Sequence, residues 1–294
     1  MEAIRAVLVT GSVTAAAERL HVTQPAVSNT LRDAEERLEF KLFDRRAGHL
    51  LPNSAASLLL EEIERAITGL DEVNALADRI RQGKGRRLVV VCTPAFAATT
   101  LPGMLSVWRG QAPDSLIAVE SRNANQVATM VAAHRADIGF GPEVPVVKGL
   151  SSEVVALLPM VCYLPATHRL AMRGGPVRAD ELLDEPMISP GNVERIEQRI
   201  AVAFRDCERM PSTVMECPVV LTACSMVAAG IGFTITTPLP LRLLPPGRVS
   251  VHPFEPRIHI PYRAYWMDRR LGKVERERLL ELARAELATA VGPK

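Results

Sequence analysis

The chain has 294 residues, 48% of them hydrophobic, and a formal net charge of +2. That length and apolar content exceed one small domain and suffice for more than one buried core, while the near-neutral balance excludes neither DNA nor small anions as partners. No stretch approaches the ~20 apolar residues of a membrane span and the N-terminus lacks a basic-then-apolar leader, so no membrane partner and a cytoplasmic location are expected.

The first readable element is a helical corner. Ser12 is placed to cap a short helix on which Ala15, Ala16 and Leu20 recur at helical spacing, and Leu20-His21-Val22 breaks it just before the next cap. Thr23 is placed to supply a side-chain oxygen to the amides of a second helix, and Pro25 sits in its first turn, where a missing N–H costs nothing. Ala26, Val27, Thr30, Leu31, Ala34 and Leu38 form its inward face, leaving Gln24, Ser28, Asn29 and Arg32 outward.

Amide, hydroxyl and guanidinium groups at the start of a second helix are what a recognition helix offers to base edges and phosphates of double-stranded DNA. The candidate DNA-contacting set is therefore Thr23, Gln24, Pro25, Ser28, Asn29 and Arg32, with Arg45 and Arg46 in a loop or short wing as phosphate contacts. The alternative is an ordinary helical hairpin with a polar solvent face. Charge does not decide: over residues 1–52, Arg5, Arg19, Arg32, Arg37, Lys41, Arg45 and Arg46 balance Glu2, Glu18, Asp33, Glu35, Glu36, Glu39 and Asp44.

Next comes a seam. Leu59, Ile63, Ala66, Leu70, Val73, Ala77 and Ile80 alternate steps of four and three, which predicts a heptad-patterned dimerisation helix. Asn53 or Ser54 caps it and Gly83 to Gly85 ends it, giving about 28 residues, or about 42 Å. A helix that long packs on a partner or frays; the alternative is an amphipathic helix lying on its own domain.

From Gly11 to Arg46 the chain resembles the LysR-type transcriptional regulators of bacteria. The family's pattern is matched by Gly11-Ser12, Ala15-Ala16, Leu20, Gln24-Pro25-Ala26, Ser28, Glu35 and Leu42-Phe43-Asp44-Arg45. Glu39 stands where the family usually has Gly, and Pro52-Asn53-Ser54-Ala55 where it often has Thr-x-Ala-Gly. The first helix begins at Met1, several residues short of the family's usual start, which leaves the true translational start open. Val22-Thr23-Gln24-Pro25 and the segment Arg45 to Pro52 are most similar to the branch of octopine and nopaline regulators, which implies an amino-acid-like or opine-like effector.

Beyond Gly85 short apolar strands alternate with helices. Strands are expected at Arg87–Cys92, Leu116–Val119 and Ile138–Phe140, with helices at Ala97–Trp108 and Asn125–His134. The rhythm returns with strands at Met187-Ile188, Val214-Met215 and Phe233–Ile235 and helices at Val193–Phe204 and Thr222–Ala229, predicting two α/β lobes with parallel sheets. Val249–Val251, Ile258–Trp266 and an amphipathic helix through Leu279, Leu280, Leu282 and Leu287 close the chain.

The resemblance implies that these lobes are of periplasmic-binding-protein type, with crossings near Leu157–Tyr163 and Pro261–Ala264 and an effector between them. The expected class is thus α+β multidomain: a winged helix-turn-helix over 1–53, a linker helix over 54–85, and an effector domain over 86–294. Its first lobe spans 86–158 and 264–294, its second 159–263.

Ligands of open α/β sheets bind beyond strand C-termini, near helix starts. That rule selects Thr93, Pro94, Asn123, Asn125 and Thr222, with Ser189 and Thr236 as weaker additions and Glu143 as the partner of an amino or guanidinium group. Each taken alone is equally a helix cap or turn residue.

No hydrolase elbow, zincin helix or phosphate loop is present, so no enzyme activity and no cofactor are expected. Five cysteines form no metal-type pair and the six histidines are scattered, so no metal site is expected. The reading is an effector-switched DNA-binding regulator, which as a member of that family would form homodimers and homotetramers and touch RNA polymerase. The alternatives are a constitutive regulator whose C-terminal part only oligomerises, and a redox sensor using Cys207 and Cys217.

Overall fold

The computed structural model of the chain describes residues 2–46, 49–56, 58, 59, 63, 73, 74, 77, 81, 87–113, 115–191, 194–207, 209–268 and 271–291. The chain divides into two compact units, Met1–Lys84 and Gly85–Lys294.

The first unit contains α1 (Glu2–Thr10), α2 (Val13–Arg19), α3 (Gln24–Leu38) and an antiparallel pair of strands, β1 (Phe43–Arg46) and β2 (His49–Pro52). Ile4, Val7, Ala16, Val27, Leu31, Leu42 and Phe43 fill the core between them. Ser12 caps α2 as its side chain suggests, accepting from the Ala15 N–H at 3.4 Å. Thr23 stands at the cap of α3 but makes no side-chain capping bond; its carbonyl instead accepts from Ala26 and Val27. The inward face is also narrower than its sequence suggests: Val27 and Leu31 are buried, whereas Ala26 and Thr30 are exposed. A second helix resting on one partner surface needs only a thin apolar stripe.

Two details fix the wing to α3. Glu35 reaches off the helix to accept N–H bonds from Leu42 at 2.8 Å and Phe43 at 3.3 Å, with Lys41 Nζ donating at 2.8 Å. Glu39 ends α3 with φ +61°, the left-handed region that glycine enters without steric cost.

Every described residue between 54 and 81 is helical. Asn53 caps the segment, its Oδ1 accepting from the Ala56 N–H at 3.0 Å. The seam divides: Ile63 is fully buried in the N-terminal core and Leu59 packs on it, so these two serve their own domain and are corrected as partner-facing residues. Val73 and Ala77 are exposed, whereas Ala66, Leu70 and Ile80 lie outside the described residues.

In the second unit the first lobe runs β3 (Arg87–Cys92), α4 (Pro94–Thr99), α5 (Leu101–Gln111), β4 (Leu116–Ser121), α6 (Ala124–Ala132), β5 (Ile138–Pro142) and β6 (Ser151–Pro159). The single helix expected at Ala97–Trp108 is two, because Pro102 has no N–H to continue the ladder and instead occupies the first turn of a new helix. The second lobe contains β7 (Val161–Pro165), β8 (Val177–Arg178), β9 (Met187–Ser189), α7 (Glu194–Ala203), β10 (Thr213–Glu216), α8 (Val220–Ala228), β11 (Thr234–Thr236) and β12 (Val249–Glu255). The chain then returns through β13 (His259–Trp266) to the closing helix α9 (Lys273–Val291).

The first lobe's sheet has the order β4-β3-β5-β13-β6. Its first three strands are parallel as expected, but β13 runs antiparallel to both its neighbours, β5 and β6, so the sheet is mixed. The second lobe pairs β9 with β10 in parallel and arranges β11-β7-β12-β8 with both senses.

The chain leaves the first lobe at Met160, inside the segment expected for that crossing. It returns at Pro256–Ile258, earlier than the expected Pro261–Ala264, because Tyr262, Ala264 and Trp266 alternate into the first lobe's core as one unbroken strand. The first lobe therefore resumes at His259, not at residue 264. The two crossings lie side by side, with the Met160 N–H donating to Ile258 O at 2.9 Å. A 3-10 turn, Leu239–Leu243, also reaches across: Leu239 belongs to the first lobe's core and Arg242 donates to Thr289 O at 2.6 Å.

Candidate functional site

On the N-terminal unit, Thr23, Gln24, Pro25, Asn29 and Arg32 are exposed and Ser28 is half-buried. Arg32 Nη2 donates to Asn29 Oδ1 at 2.7 Å, which pre-orients two hydrogen-bonding groups on one face of α3. Ala26 and Thr30, missed by the sequence reading, belong beside them, since residues three and four apart share a helix face. Arg45 and Arg46 lie in β1, in register with Leu50 and His49 of β2, and their side chains lie outside the described set. The segment is an antiparallel strand pair, the short wing of the two forms expected.

A second site is a cavity of about 670 Å³ between the lobes of the C-terminal unit. Thr93 and Pro94 enter from the end of β3, Asn123 and Asn125 from the start of α6, and Thr236 from the end of β11. Three helices, α4, α6 and α8, begin at this cavity. Asn123 caps α6 in a capping box with Gln126. Thr93 and Val219, at the caps of α4 and α8, make no side-chain capping bond; α4 is only six residues long and begins on Pro94, which has no N–H, so the nine-residue α8 is the helix whose start leaves free amides at the cavity.

Three predicted residues are not among the lining, and each has a physical reason. Glu143 is held elsewhere by Arg263 at 3.1 Å and by Arg199, from the other lobe, at 3.5 Å. Ser189 is buried and turns back to accept the Gly191 N–H at 3.2 Å. Thr222 is the third residue of α8, not its cap, and faces solvent.

Sequence reasoning missed Ser121, Arg122, Gln126, Glu216, Thr237 and Tyr262. Arg122 and Glu216 lie at strand ends and so carried the same signal as Thr93, whereas Tyr262 arrives from β13, the return strand, with no local signal. Thr93 Oγ1 and Tyr262 Oη share a hydrogen bond of 2.5 Å, and burial pushes the phenol's pKa up, so it stays a neutral group in the floor.

The cysteines are packing residues here. Cys92 and Cys224 are pushed up to about 12 by burial, which suppresses the reactive thiolate. Cys207 and Cys217 are free thiols that pack in separate apolar clusters of the second lobe.

A family model described as "Bacterial regulatory helix-turn-helix protein, lysR family" matches residues 1–57, and one described as "LysR substrate binding domain" matches residues 81–288. The chain belongs to the LysR family of transcriptional regulators. This LysR-type protein is thus a DNA-binding transcription regulator with an effector-binding domain, built as the winged corner and two α/β lobes described above. It is similar to the regulatory protein NocR of Agrobacterium fabrum, 28% identical over 262 residues that cover 89% of this chain and 86% of the relative. It is similar to the octopine catabolism/uptake operon regulatory protein OccR of Rhizobium meliloti, 34% identical over 238 residues that cover 81% of this chain and 78% of the relative. Among solved structures it is similar to full-length CbnR in complex with its target DNA, with a TM-score of 0.74 at 16% identity, covering 97% of this chain and 98% of that one. Full-length BenM gives a TM-score of 0.59 at 18% identity, covering 100% and 98%. Among the described residues of the LysR-type chain, no helix is long and apolar enough to cross a membrane.

Proposed function

We propose that this LysR-type regulator is switched by an amino-acid-like carboxylate, of which opines are examples, bound in the cavity between its lobes. The observation that carries the reading is one cavity of about 670 Å³ lined by both lobes, with the uncapped start of α8 at Val219 on one wall and the hydroxyl and amide groups of Thr93, Asn123 and Asn125 on the other. Free amides at helix N-termini select carboxylates, and groups from both lobes reward closure. OccR, named for octopine catabolism and uptake, supplies the ligand class. A constitutive regulator would have no need of such a cavity.

In this reading Gln24, Ser28 and Asn29 touch base edges, while Thr23, Pro25, Arg32, Arg45 and Arg46 set position on the phosphates. Val73 and Ala77 continue into a self-association seam, and paired or fourfold heads compensate for the few contacts each makes. The protein works in the cytoplasm beside RNA polymerase, binds rather than converts its effector, and needs no metal or cofactor.

The test is calorimetric titration of the full chain with octopine, nopaline and their parent amino acids, followed by footprinting with and without the compound that binds. Binding with an altered footprint is expected. Binding to none of a broad set of small carboxylates would overturn the effector reading.

A further inference from the structure

We infer that Glu216 is the specificity residue of the interlobe cavity and selects effectors that carry a cationic group in addition to a carboxylate. This rests on the effector reading above.

Only two charged residues are found among the described lining, Arg122 from the first lobe and Glu216 from the second. Arg122 is already compensated, with its Nη2 on Glu120 Oε2 at 2.8 Å and its Nη1 donating to Ser121 O at 2.8 Å. Among the described residues the Glu216 carboxylate makes no hydrogen bond and no ion pair. Its backbone is fixed by pairing of β10 with Ser189 of β9, and it flanks Gly191 on the second lobe's wall, so an open carboxylate is presented from a rigid strand end.

The remaining polar lining is neutral: Thr93, Ser121, Asn123, Asn125, Gln126, Thr236, Thr237 and Tyr262. An effector bearing only carboxylates would be drawn to the free amides yet repelled by Glu216, whose charge no other described lining residue cancels. A zwitterion satisfies both demands, its carboxylate on the amides and its side-chain cation, a guanidinium in octopine, on Glu216. The acidic partner that the sequence suggested at Glu143 is consumed by two arginines. Glu216 supplies that chemistry inside the cavity.

The experiment compares octopine with its ureido counterpart, the citrulline-derived conjugate, in which a neutral group of the same shape replaces the guanidinium. Affinities are measured calorimetrically on the full chain and on Glu216→Gln, with a thermal melt of each to confirm folding. The wild type should prefer octopine by about tenfold or more, and Glu216→Gln should lose that preference while binding the ureido compound as the wild type does. An unchanged octopine preference in Glu216→Gln overturns the inference. So does a wild type that binds the two compounds equally, or that binds a dicarboxylate without a cation as tightly as octopine, a result needing no variant and leaving the effector reading intact. Binding of no carboxylate at all overturns the effector reading and this inference with it.

Discussion

Glu39 shows how one residue carries a sequence oddity into geometry. It occupies the position where LysR-type chains usually carry glycine, and its backbone is left-handed at φ +61°. A side chain there crowds its own carbonyl, so Glu39→Gly should stabilise the N-terminal unit by about 1 kcal/mol, read as a rise in its thermal midpoint. Glu35 does the opposite kind of work. Burial acts to raise its pKa, but hydrogen bonds from Lys41, Leu42 and Phe43 outweigh it and hold the carboxyl below the usual glutamate range. A depressed folded value means the stabilisation is complete above the unfolded value of about 4.3 and fades as pH falls through the folded one. Glu35→Gln should therefore cost about 1–2 kcal/mol at neutral pH, with the gap to wild type closing below about pH 4 in melts of the two proteins.

At the scale of elements, the linker seam separates two jobs that its sequence merges. The steps of four and three from Leu59 to Ile80 read as one continuous interface, yet Ile63 is enclosed by the N-terminal core while Val73 is 63% exposed. Periodicity reports that a face is apolar and says nothing of what covers it. Ile63→Lys should unfold the N-terminal unit, by more than about 3 kcal/mol. Val73→Lys should leave its melt unchanged and lower the mass seen by sedimentation; an unchanged mass would remove Val73 from any interface.

Other elements differed in legibility for similar reasons. The strands Arg87–Cys92 and Ile138–Pro142 are apolar runs buried nearly throughout and were visible at once. Strand Ser151–Pro159 escaped because it is the sheet's outer edge, exposed over much of its length, and shows no alternation. Helix α8 was placed two residues late, since a valine at its cap advertises nothing, and that slip chose Thr222 over Val219 and Glu216. The outward face of α3 was legible because Gln24, Asn29 and Arg32 are polar and exposed. Tyr262 was not, because it arrives on the return strand His259–Trp266, remote from the strands that announced the cavity.

Across the whole C-terminal unit, the lobes are tied at the Glu143 ion pairs as well as through the backbone. Partly exposed pairs of this kind contribute little each, so Glu143→Gln should lower that unit's stability by about 0.5–1 kcal/mol in dilute buffer. The loss should shrink in about 0.5 M salt, where Coulomb attraction is screened. A loss indifferent to salt would mean that packing, not charge, carries the contact.

The paired crossings at Met160 and Ile258 have a mechanical meaning. Two straps lashed together, unlike a single thread, bend readily about one line and resist torsion about any other. Opening and shutting of the lobes about that line is the motion expected of such a pair, and an occupant is then expected to communicate an angle, not its outline. Compounds of quite different silhouette that prop the jaws equally wide are expected to act as synonyms.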